Sequence, residues 1–132
     1  MNLVLDASAG MELALERAGA AGLRGMVETA ELVYSSELYR IETANALWEY
    51  RRAGLLDRGS VFRLLECCIA LIDEFQPLNG QEAEALADAL RLDHPAYDLL
   101  YLSLARKTGS RLATFDRKLK DIALRDGLEV VP

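Results

Sequence analysis

The sequence predicts an α/β fold in which a mostly parallel sheet is flanked by helices. Short apolar runs, typical of strands that are buried on both faces, alternate with longer segments of helical periodicity. An alternation of this kind indicates βα units, so we expect a central sheet of about four to five short strands. At 132 residues, the chain is expected to form one domain over residues 1–132.

The first half of the chain begins with the strand that we expect at the centre of the sheet. Leu3-Val4-Leu5 is a continuous apolar run that ends at Asp6. Ser8 is a suitable N-cap for a helix that continues to about Arg17, and Gly19 separates that helix from a second one. The remaining elements of this half are a helix over 20–30, a strand over 32–34, and helices over 38–53 and 57–75.

The second half of the chain continues the alternation. Gln76-Pro77-Leu78 is an extended connector or short strand, because proline lacks an N–H and restrains the residue before it. We expect Asn79 to cap a helix that ends near Leu92, and Pro95 to open the next helix, which stops at Gly109. The last elements are a strand over 111–114, a short helix capped by Asp116 that continues to 125, and a strand over 128–131.

The composition excludes several classes of protein. The chain has 15 Lys and Arg against 21 Asp and Glu, and this net charge of −6 lacks the general cationic field of proteins that coat nucleic acids. The adjacent Cys67 and Cys68 suit neither a disulfide framework nor a CxxC metal site, and we expect both in the core. With no signal peptide and no membrane-spanning stretch in the sequence, we expect a cytoplasmic protein with no membrane partner.

Acidic residues stand where a parallel sheet places its functional groups. Asp6 directly follows the first strand, and Asp116 lies two residues beyond a later strand. The carboxyl ends of parallel strands meet at one edge, so both carboxylates are expected in the same crevice, although each could equally cap a helix. Asp98 lies on the apolar face of a helix, where a carboxylate needs a partner. Glu42 is a candidate only in their company, because an isolated glutamate is usually exposed.

The segments around these acids resemble the motifs of PIN-domain ribonucleases, specifically the VapC-type toxins of prokaryotic toxin–antitoxin pairs. The more specific part of the resemblance is C-terminal, in HPAYDLLYLSLA over 94–105 and RLATFDRKL over 111–119. VLDAS over 4–8 resembles the first motif of the family, and ETANAL over 42–47 resembles the second. Order, spacing and length agree over nearly the whole chain. One departure is SSEL over 35–38, where many relatives have a proline before the helix that carries the second acid.

The resemblance implies a PIN-like three-layer sandwich and four acidic residues that hold a metal. These are Asp6, Glu42, Asp98 and Asp116. Three polar residues are implied as supporting groups: Ser8, Asn45 and Thr114. The resemblance further implies a homodimer and a small antitoxin, which would lie across the crevice and along the apolar helices between Leu38 and Phe75.

Several carboxylates in one crevice repel each other, and this repulsion raises their proton affinity unless a cation neutralises it. An all-oxygen ligand set favours Mg²⁺ or Mn²⁺ over zinc, and Mg²⁺ keeps bound waters that can attack a phosphodiester. We therefore predict a metal-dependent endoribonuclease, and the resemblance implies products with a 5′-phosphate and a 3′-hydroxyl. Without the four acids the net charge would be −2 rather than −6, so much of the negative charge can belong to the site.

A non-catalytic PIN-like module that binds RNA or a protein is the alternative, and affinity for a divalent metal separates the two. A haloacid-dehalogenase-type phosphatase would need an aspartate where Ser8 stands, and P-loop, Rossmann and serine-hydrolase motifs do not occur. Tyr97 and Tyr101 are one helical turn apart and are expected to pack in the core. His94, beside Pro95, is expected to mark the entry of the helix.

Overall fold

The computed structural model describes residues 1–132 as a five-stranded sheet with seven helices. The strands are β1 (Leu3–Leu5), β2 (Val33–Ser36), β3 (Glu74–Gln76), β4 (Arg111–Ala113) and β5 (Val130–Val131). The helices are α1 (Ala7–Ala14), α2 (Ala21–Thr29), α3 (Leu38–Arg52), α4 (Arg58–Ala70), α5 (Glu82–Leu92), α6 (Ala96–Thr108) and α7 (Arg117–Arg125), and a 3₁₀ turn lies at Ala18–Ala20.

The sheet is parallel throughout and has the strand order β3-β2-β1-β4-β5. The chain leaves β1 toward β2 and β3 and returns to the other side of β1 with β4, so the strand order reverses between β1 and β4. All three residues of β1 are fully buried, as expected for a central strand with helices on both faces. The predicted α/β class, the central position of the first strand and the three-layer architecture are confirmed.

The helices form two groups beside the sheet. In one group α1, α3 and α4 pack against each other, and in the other α6 contacts α5 and α7 and also touches β1, β2 and β4. The core is a single cluster of buried apolar side chains that includes β1, Tyr39 of α3 and Leu99 of α6. None of the seven helices combines the length and apolar character needed to span a bilayer.

Several predicted boundaries were wrong, among them that of α1, which ends at Ala14 rather than near Arg17, and that of β5, which begins at Val130 rather than at 128. The helix predicted to reach Phe75 ends at Ala70, and β3 begins two residues before the predicted connector. Here Asp73 interrupts the apolar run, and its carboxylate accepts a hydrogen bond from the Val33 N–H at 2.8 Å, which draws the chain alongside β2. At the helix starts, the N-cap positions are Gln81 instead of Asn79 and Asp6 instead of Ser8.

The side-chain predictions for the core were partly wrong. Cys68 is buried, and burial raises the pKa of its thiol to about 12, whereas Cys67 is exposed. Tyr101 is 1% exposed, but Tyr97 is 63% exposed because it lies in the first turn of α6 and borders an open surface groove beside Leu78 and Leu86. The apolar surface of α3 and α4 is also incompletely covered, and Phe62 is 72% exposed.

An ion network ties α5, α6 and the end of α7 together. The carboxylate of Asp126 accepts hydrogen bonds from Arg91 and Arg106, each at 2.7 Å. Both guanidinium groups also contact the nearly buried Asp88. These hydrogen bonds from Arg91 and Arg106 lower the pKa of Asp126 to about 2. We refer to these four residues as the α5–α6–α7 ion network.

Candidate active site

Asp6 lies at the carboxyl end of β1, beside the point where the strand order reverses. It is 4% exposed, and its carboxylate accepts hydrogen bonds from the Ala9 N–H at 2.9 Å, the Ser8 hydroxyl at 2.6 Å and the Thr114 hydroxyl. Burial nonetheless raises the pKa of Asp6 to about 6, although all three hydrogen bonds lower it. Asp6 therefore caps α1 and at the same time presents a buried carboxylate without a cationic partner.

Thr114 and Asp116 reach the same place from β4. The register pairs Leu5 with Ala113, so the residues that follow the two strands, Asp6 and Thr114, are neighbours across the sheet edge. Asp116 caps α7 by accepting the N–H groups of Lys118 at 2.9 Å and of the next residue at 3.2 Å. Its charge also contributes to the raised pKa of Asp6, which places the two carboxylates in one electrostatic environment.

Glu42 approaches from α3. This chain lacks the proline expected before the helix. Instead, the hydroxyl of Ser36 accepts the N–H of Leu38, the first residue of α3, at 3.1 Å. Glu42 is half-buried one turn further on, and its carboxylate accepts a hydrogen bond from the hydroxyl of Tyr101 on α6. Burial raises the pKa of Glu42; the Tyr101 hydrogen bond opposes this shift, and the charges of Asp98, Asp6 and Asp116 add to it.

Asp98 lies in the first turn of α6 with a side chain that is 26% exposed. Its Oδ2 is 2.8 Å from Nε2 of His94, whose side chain is only 7% exposed. The histidine therefore precedes the helix, as predicted, and also contacts the acid one turn later. A carboxylate at this position is further favoured by the helix N-terminus.

The seven residues named from the sequence do not all meet. Ser8 and Thr114 contact Asp6, and the Ser8 hydroxyl also accepts the N–H of Phe115 at 2.8 Å. Asn45 is exposed, and its amide donates to Glu49 at 3.4 Å along the surface of α3 rather than to one of the four acids. Asn45 thus gives no support to the site in this arrangement.

The four acids match a hard divalent cation in donor chemistry and charge. Glu42 feels the charges of all three other carboxylates, so a cation between them would relieve a repulsion that the protein itself does not neutralise. In the structure no three His, Cys, Asp or Glu side chains are close enough to form a closed metal-ligand cluster. An ion held by one or two carboxylates and several waters, as is usual for Mg²⁺, fits this open arrangement.

Two cationic side chains, the exposed Arg117 and the partly buried Lys120, line a cleft that includes Thr114. A cleft of about 200 Å³ is lined by Thr114, Phe115, Arg117, Lys120 and Pro132. Thr114 belongs both to this cleft and to the hydrogen bonds around Asp6. Lys120 donates to the carbonyl of Pro132 at 3.0 Å, whereas Arg117 is exposed at the start of α7. The cleft can therefore offer positive charge to an anion that approaches the acids.

Comparison with known proteins agrees with this arrangement. A model of the PIN-domain family matches residues 3–124. The chain belongs to the PIN-domain family. It is 36% identical over 126 residues to a protein named ribonuclease VapC3 from Pyrobaculum aerophilum, a match that covers 92% of this chain and 94% of that one. The resemblance to VapC-type ribonucleases is thereby confirmed.

The same PIN-domain architecture is found in a solved structure. The crystal structure of PAE2754 from Pyrobaculum aerophilum superposes with a TM-score of 0.76 and 25% sequence identity, over 99% of this chain and 84% of that one. The family model spans every strand except β5, and it includes all four acids. All four candidate acids therefore lie in the part of the chain that matches the family.

Two residues beside the acids of this PIN domain were not predicted as part of the site. Tyr101 was assigned to packing and His94 to helix entry, and both roles hold, but each side chain also contacts a candidate acid. The His94 contact is local in sequence, but it is not a contact between two residues of one helix, because His94 lies before Pro95 and α6 begins at Ala96. The contact of Tyr101 with Glu42 spans 59 residues of sequence and depends on how α3 and α6 pack.

Proposed function

We propose that the chain is a metal-dependent endoribonuclease of the VapC type that acts as one domain over residues 1–132. Asp6, Glu42, Asp98 and Asp116 would hold Mg²⁺ or Mn²⁺ directly or through water. The observation that supports this proposal most strongly is the buried Asp6 carboxylate, whose pKa is raised to about 6 beside other acids on a PIN-domain fold. Such an arrangement costs stability and has a clear chemical use in binding a cation.

In the proposed reaction a water attacks the phosphorus of an RNA phosphodiester and the bond to the 3′ oxygen breaks. The products would carry a 5′-phosphate and a 3′-hydroxyl, and the departing oxygen takes up a proton. When bound, Mg²⁺ or Mn²⁺ lowers the pKa of a coordinated water and offsets the negative charge that develops on the phosphate. Glu42, half-buried and with a raised pKa, is suited to orient the attacking water and to accept its proton.

The RNA would approach through the cleft beside Asp116. Arg117 and Lys120 line that cleft, and an arginine can donate two hydrogen bonds to one phosphate group. Many other basic side chains are committed elsewhere, as in the ion pair of Arg111 with Glu129 at 2.6 Å. Charge reversal by Arg117→Glu should therefore weaken RNA binding, measured as an increase in KM, and an unchanged KM would exclude this route.

Cleavage of a mixed RNA pool tests the proposed activity. The purified protein is incubated with Mg²⁺ or Mn²⁺, with and without EDTA, beside the Asp6→Asn variant. Asp121→Asn is the matched control, because Asp121 is an exposed acid on α7 outside the crevice. We expect cutting that EDTA and Asp6→Asn abolish and that Asp121→Asn leaves unchanged.

The alternative is a non-catalytic PIN-like module that binds RNA or a protein. A pure binding surface has no physical need for carboxylates whose pKa is raised by burial and further by neighbouring acids, as is the case for Asp6 and Glu42. Titration with Mn²⁺ separates the two functions. Binding that Asp6→Asn removes supports the nuclease, whereas a folded protein that neither binds Mn²⁺ nor cuts varied RNAs would support the module.

The partners proposed are RNA, a small antitoxin and a second copy of the chain, in the cytoplasm. A groove of about 290 Å³ between α3 and α4 is the proposed antitoxin surface, lined mainly by apolar side chains that include the exposed Trp48 and Phe62. Antitoxin binding should protect the amides of α3 and α4 from hydrogen exchange, and protection confined to other helices would exclude this surface.

Light scattering after size-exclusion chromatography tests the dimer, and a monomer at micromolar concentration would contradict it.

A further inference from the structure

The hydroxyl of Tyr101 joins two helices at the acidic crevice. Tyr101 lies on α6 three residues after Asp98, and its side chain is 1% exposed. Its hydroxyl donates to Oε1 of Glu42 on α3. One helix therefore contributes an acid to the crevice directly and, a turn later, contacts another acid through a buried phenol.

This hydrogen bond restrains a flexible side chain. Glutamate has three rotatable bonds, and a half-buried Glu42 without a partner would sample several rotamers. The Tyr101 hydroxyl occupies Oε1 and leaves Oε2 free. A phenol is protonated at neutral pH, so the Tyr101 hydroxyl can donate this hydrogen bond.

Packing alone does not require the hydroxyl to be directed at an acid. Tyr39 on α3 is buried to the same degree, and its hydroxyl donates to the backbone carbonyl of Cys68 at 2.7 Å. The two tyrosines thus satisfy their hydroxyl groups in different ways. Tyr39 uses a neutral carbonyl inside the core, whereas Tyr101 uses a carboxylate that borders the crevice.

We propose that Tyr101 is a positioning residue, whose hydroxyl holds the Glu42 carboxylate with Oε2 directed at the divalent cation or its bound water. This inference rests on the proposed function, because it gives Glu42 a role in metal binding. Tyr101 does not touch RNA, since its side chain is buried. Its contribution passes entirely through Glu42.

Tyr101→Phe tests the inference with Tyr39→Phe as the matched control. Both variants lose one buried hydroxyl and retain the ring, but only the first removes a contact with an acid. Calorimetric titration with Mn²⁺ should show binding weakened roughly 10- to 100-fold in Tyr101→Phe, the usual effect of losing a group that orients a metal ligand. The kcat for RNA should fall with it while KM stays unchanged, and Tyr39→Phe should alter neither quantity.

A double-mutant cycle with Glu42→Gln shows whether the effect passes through Glu42. If it does, adding Tyr101→Phe to the Glu42→Gln protein changes Mn²⁺ affinity no further. Equal weakening by Tyr101→Phe in both backgrounds would overturn the inference. The inference would also be overturned if Tyr101→Phe and Tyr39→Phe bound Mn²⁺ with the same affinity while Glu42→Gln bound Mn²⁺ more weakly. If Glu42→Gln itself binds Mn²⁺ and cuts RNA normally, the role proposed for Glu42 fails, and the inference fails with it.

A measurement on the unmodified chain keeps the test independent of whether the variants fold. The protein has five tyrosines, and labelling each ring with ¹³C at Cζ makes each hydroxyl environment visible by NMR. Titration with Mg²⁺ should shift the Tyr101 resonance in step with binding and leave that of Tyr39 in place. If the Tyr101 resonance does not shift at saturating Mg²⁺, the proposal that Tyr101 positions a metal-binding carboxylate is refuted.

Discussion

Replacing Asp6 with asparagine should stabilise the metal-free protein. Burial raises the pKa of Asp6 from 3.8 to about 6, so the folded state favours the protonated acid more than the unfolded state does. For an acid with a raised folded-state pKa, the cost of ionisation is complete above about pH 6 and fades as the pH falls toward 3.8. At neutral pH the ionised Asp6 therefore lowers the free energy of unfolding.

The size of the effect follows from the shift and from the hydrogen bonds. One pKa unit corresponds to about 1.4 kcal/mol, so the ionised carboxylate costs about 3 kcal/mol, without a discount for solvent because Asp6 is only 4% exposed. Asparagine keeps an oxygen for the Ala9 N–H but turns an amide toward the Thr114 hydroxyl, a mismatch of about 1 kcal/mol. The net gain is about 2 kcal/mol, or a rise in Tm of about 5 to 10 °C.

Urea denaturation in EDTA at pH 8 and pH 4 measures this prediction. We expect Asp6→Asn to be the more stable protein at pH 8 and to lose its advantage at pH 4, where Asp6 is protonated in the folded state. Asp121→Asn serves as the control, because the side chain of Asp121 is exposed. A variant that is less stable than the parent at pH 8, or a gain of equal size at both pH values, would refute the reasoning.

Three further predictions concern stability. Saturating Mn²⁺ should raise the Tm of the parent protein but not that of Asp6→Asn, and at 100 times Kd the gain should be about 2.7 kcal/mol; equal gains would exclude the crevice as the binding site. Asp126→Asn should lower the free energy of unfolding by about 1 kcal/mol at pH 7, a figure reduced for solvent because its arginine partners are about half exposed. This loss of stability should disappear as the pH falls from about 4 to 2, because Asp126 of the parent protein then becomes protonated. Gly10→Ala should lower stability by about 1 to 3 kcal/mol, because its Cβ would meet Cζ of the buried Tyr39 at 2.7 Å, whereas Gly25→Ala has open space and should be neutral or stabilising in the same thermal scan.

Four of the five strands were predictable because each overlaps a short apolar run bounded by clear breaks, whereas β3 has the sequence Glu-Phe-Gln and was expected only as a connector or short strand at 76–78. The run at 69–75 was misread because an apolar stretch does not distinguish a helix end from a strand by periodicity alone. What separates them is Asp73, whose carboxylate accepts the N–H of Val33 on β2. That contact joins residues 40 apart in the sequence and exists only once the strands are paired.

The position of the site was more predictable than its internal contacts. Asp6 and Asp116 follow parallel strands, so the topology alone brings them to one edge of the sheet. Asp98 was a candidate because a carboxylate on the apolar face of a helix needs a partner, and the motif resemblance then supported Glu42. The resemblance also named Asn45, which the structure leaves exposed and bonded to Glu49. A motif specifies residue types at a spacing, but the rotamer of a surface side chain depends on its local neighbours.

The partners of the acids separate two uses of negative charge in this chain. Asp126 and Glu84 have arginine or lysine partners, and their pKa values are lowered. No lysine or arginine forms an ion pair with the four acids of the crevice, which instead contact hydroxyl groups, backbone N–H groups and one histidine. Hydroxyl and backbone N–H donors orient a carboxylate without cancelling its charge, so the attraction for a cation is retained.

This distinction is invisible in a count of charged residues, in which all 21 acids contribute equally. It becomes visible only when the partners of each carboxylate are known. A lysine introduced at the crevice, as in Ser8→Lys, should therefore stabilise the ionised Asp6 and at the same time compete with Mn²⁺. The variant also loses the hydrogen bonds of Ser8 with Asp6 and with the Phe115 N–H, so its stability must be measured beside its metal affinity, and Mn²⁺ affinity equal to that of the parent protein would contradict the reasoning.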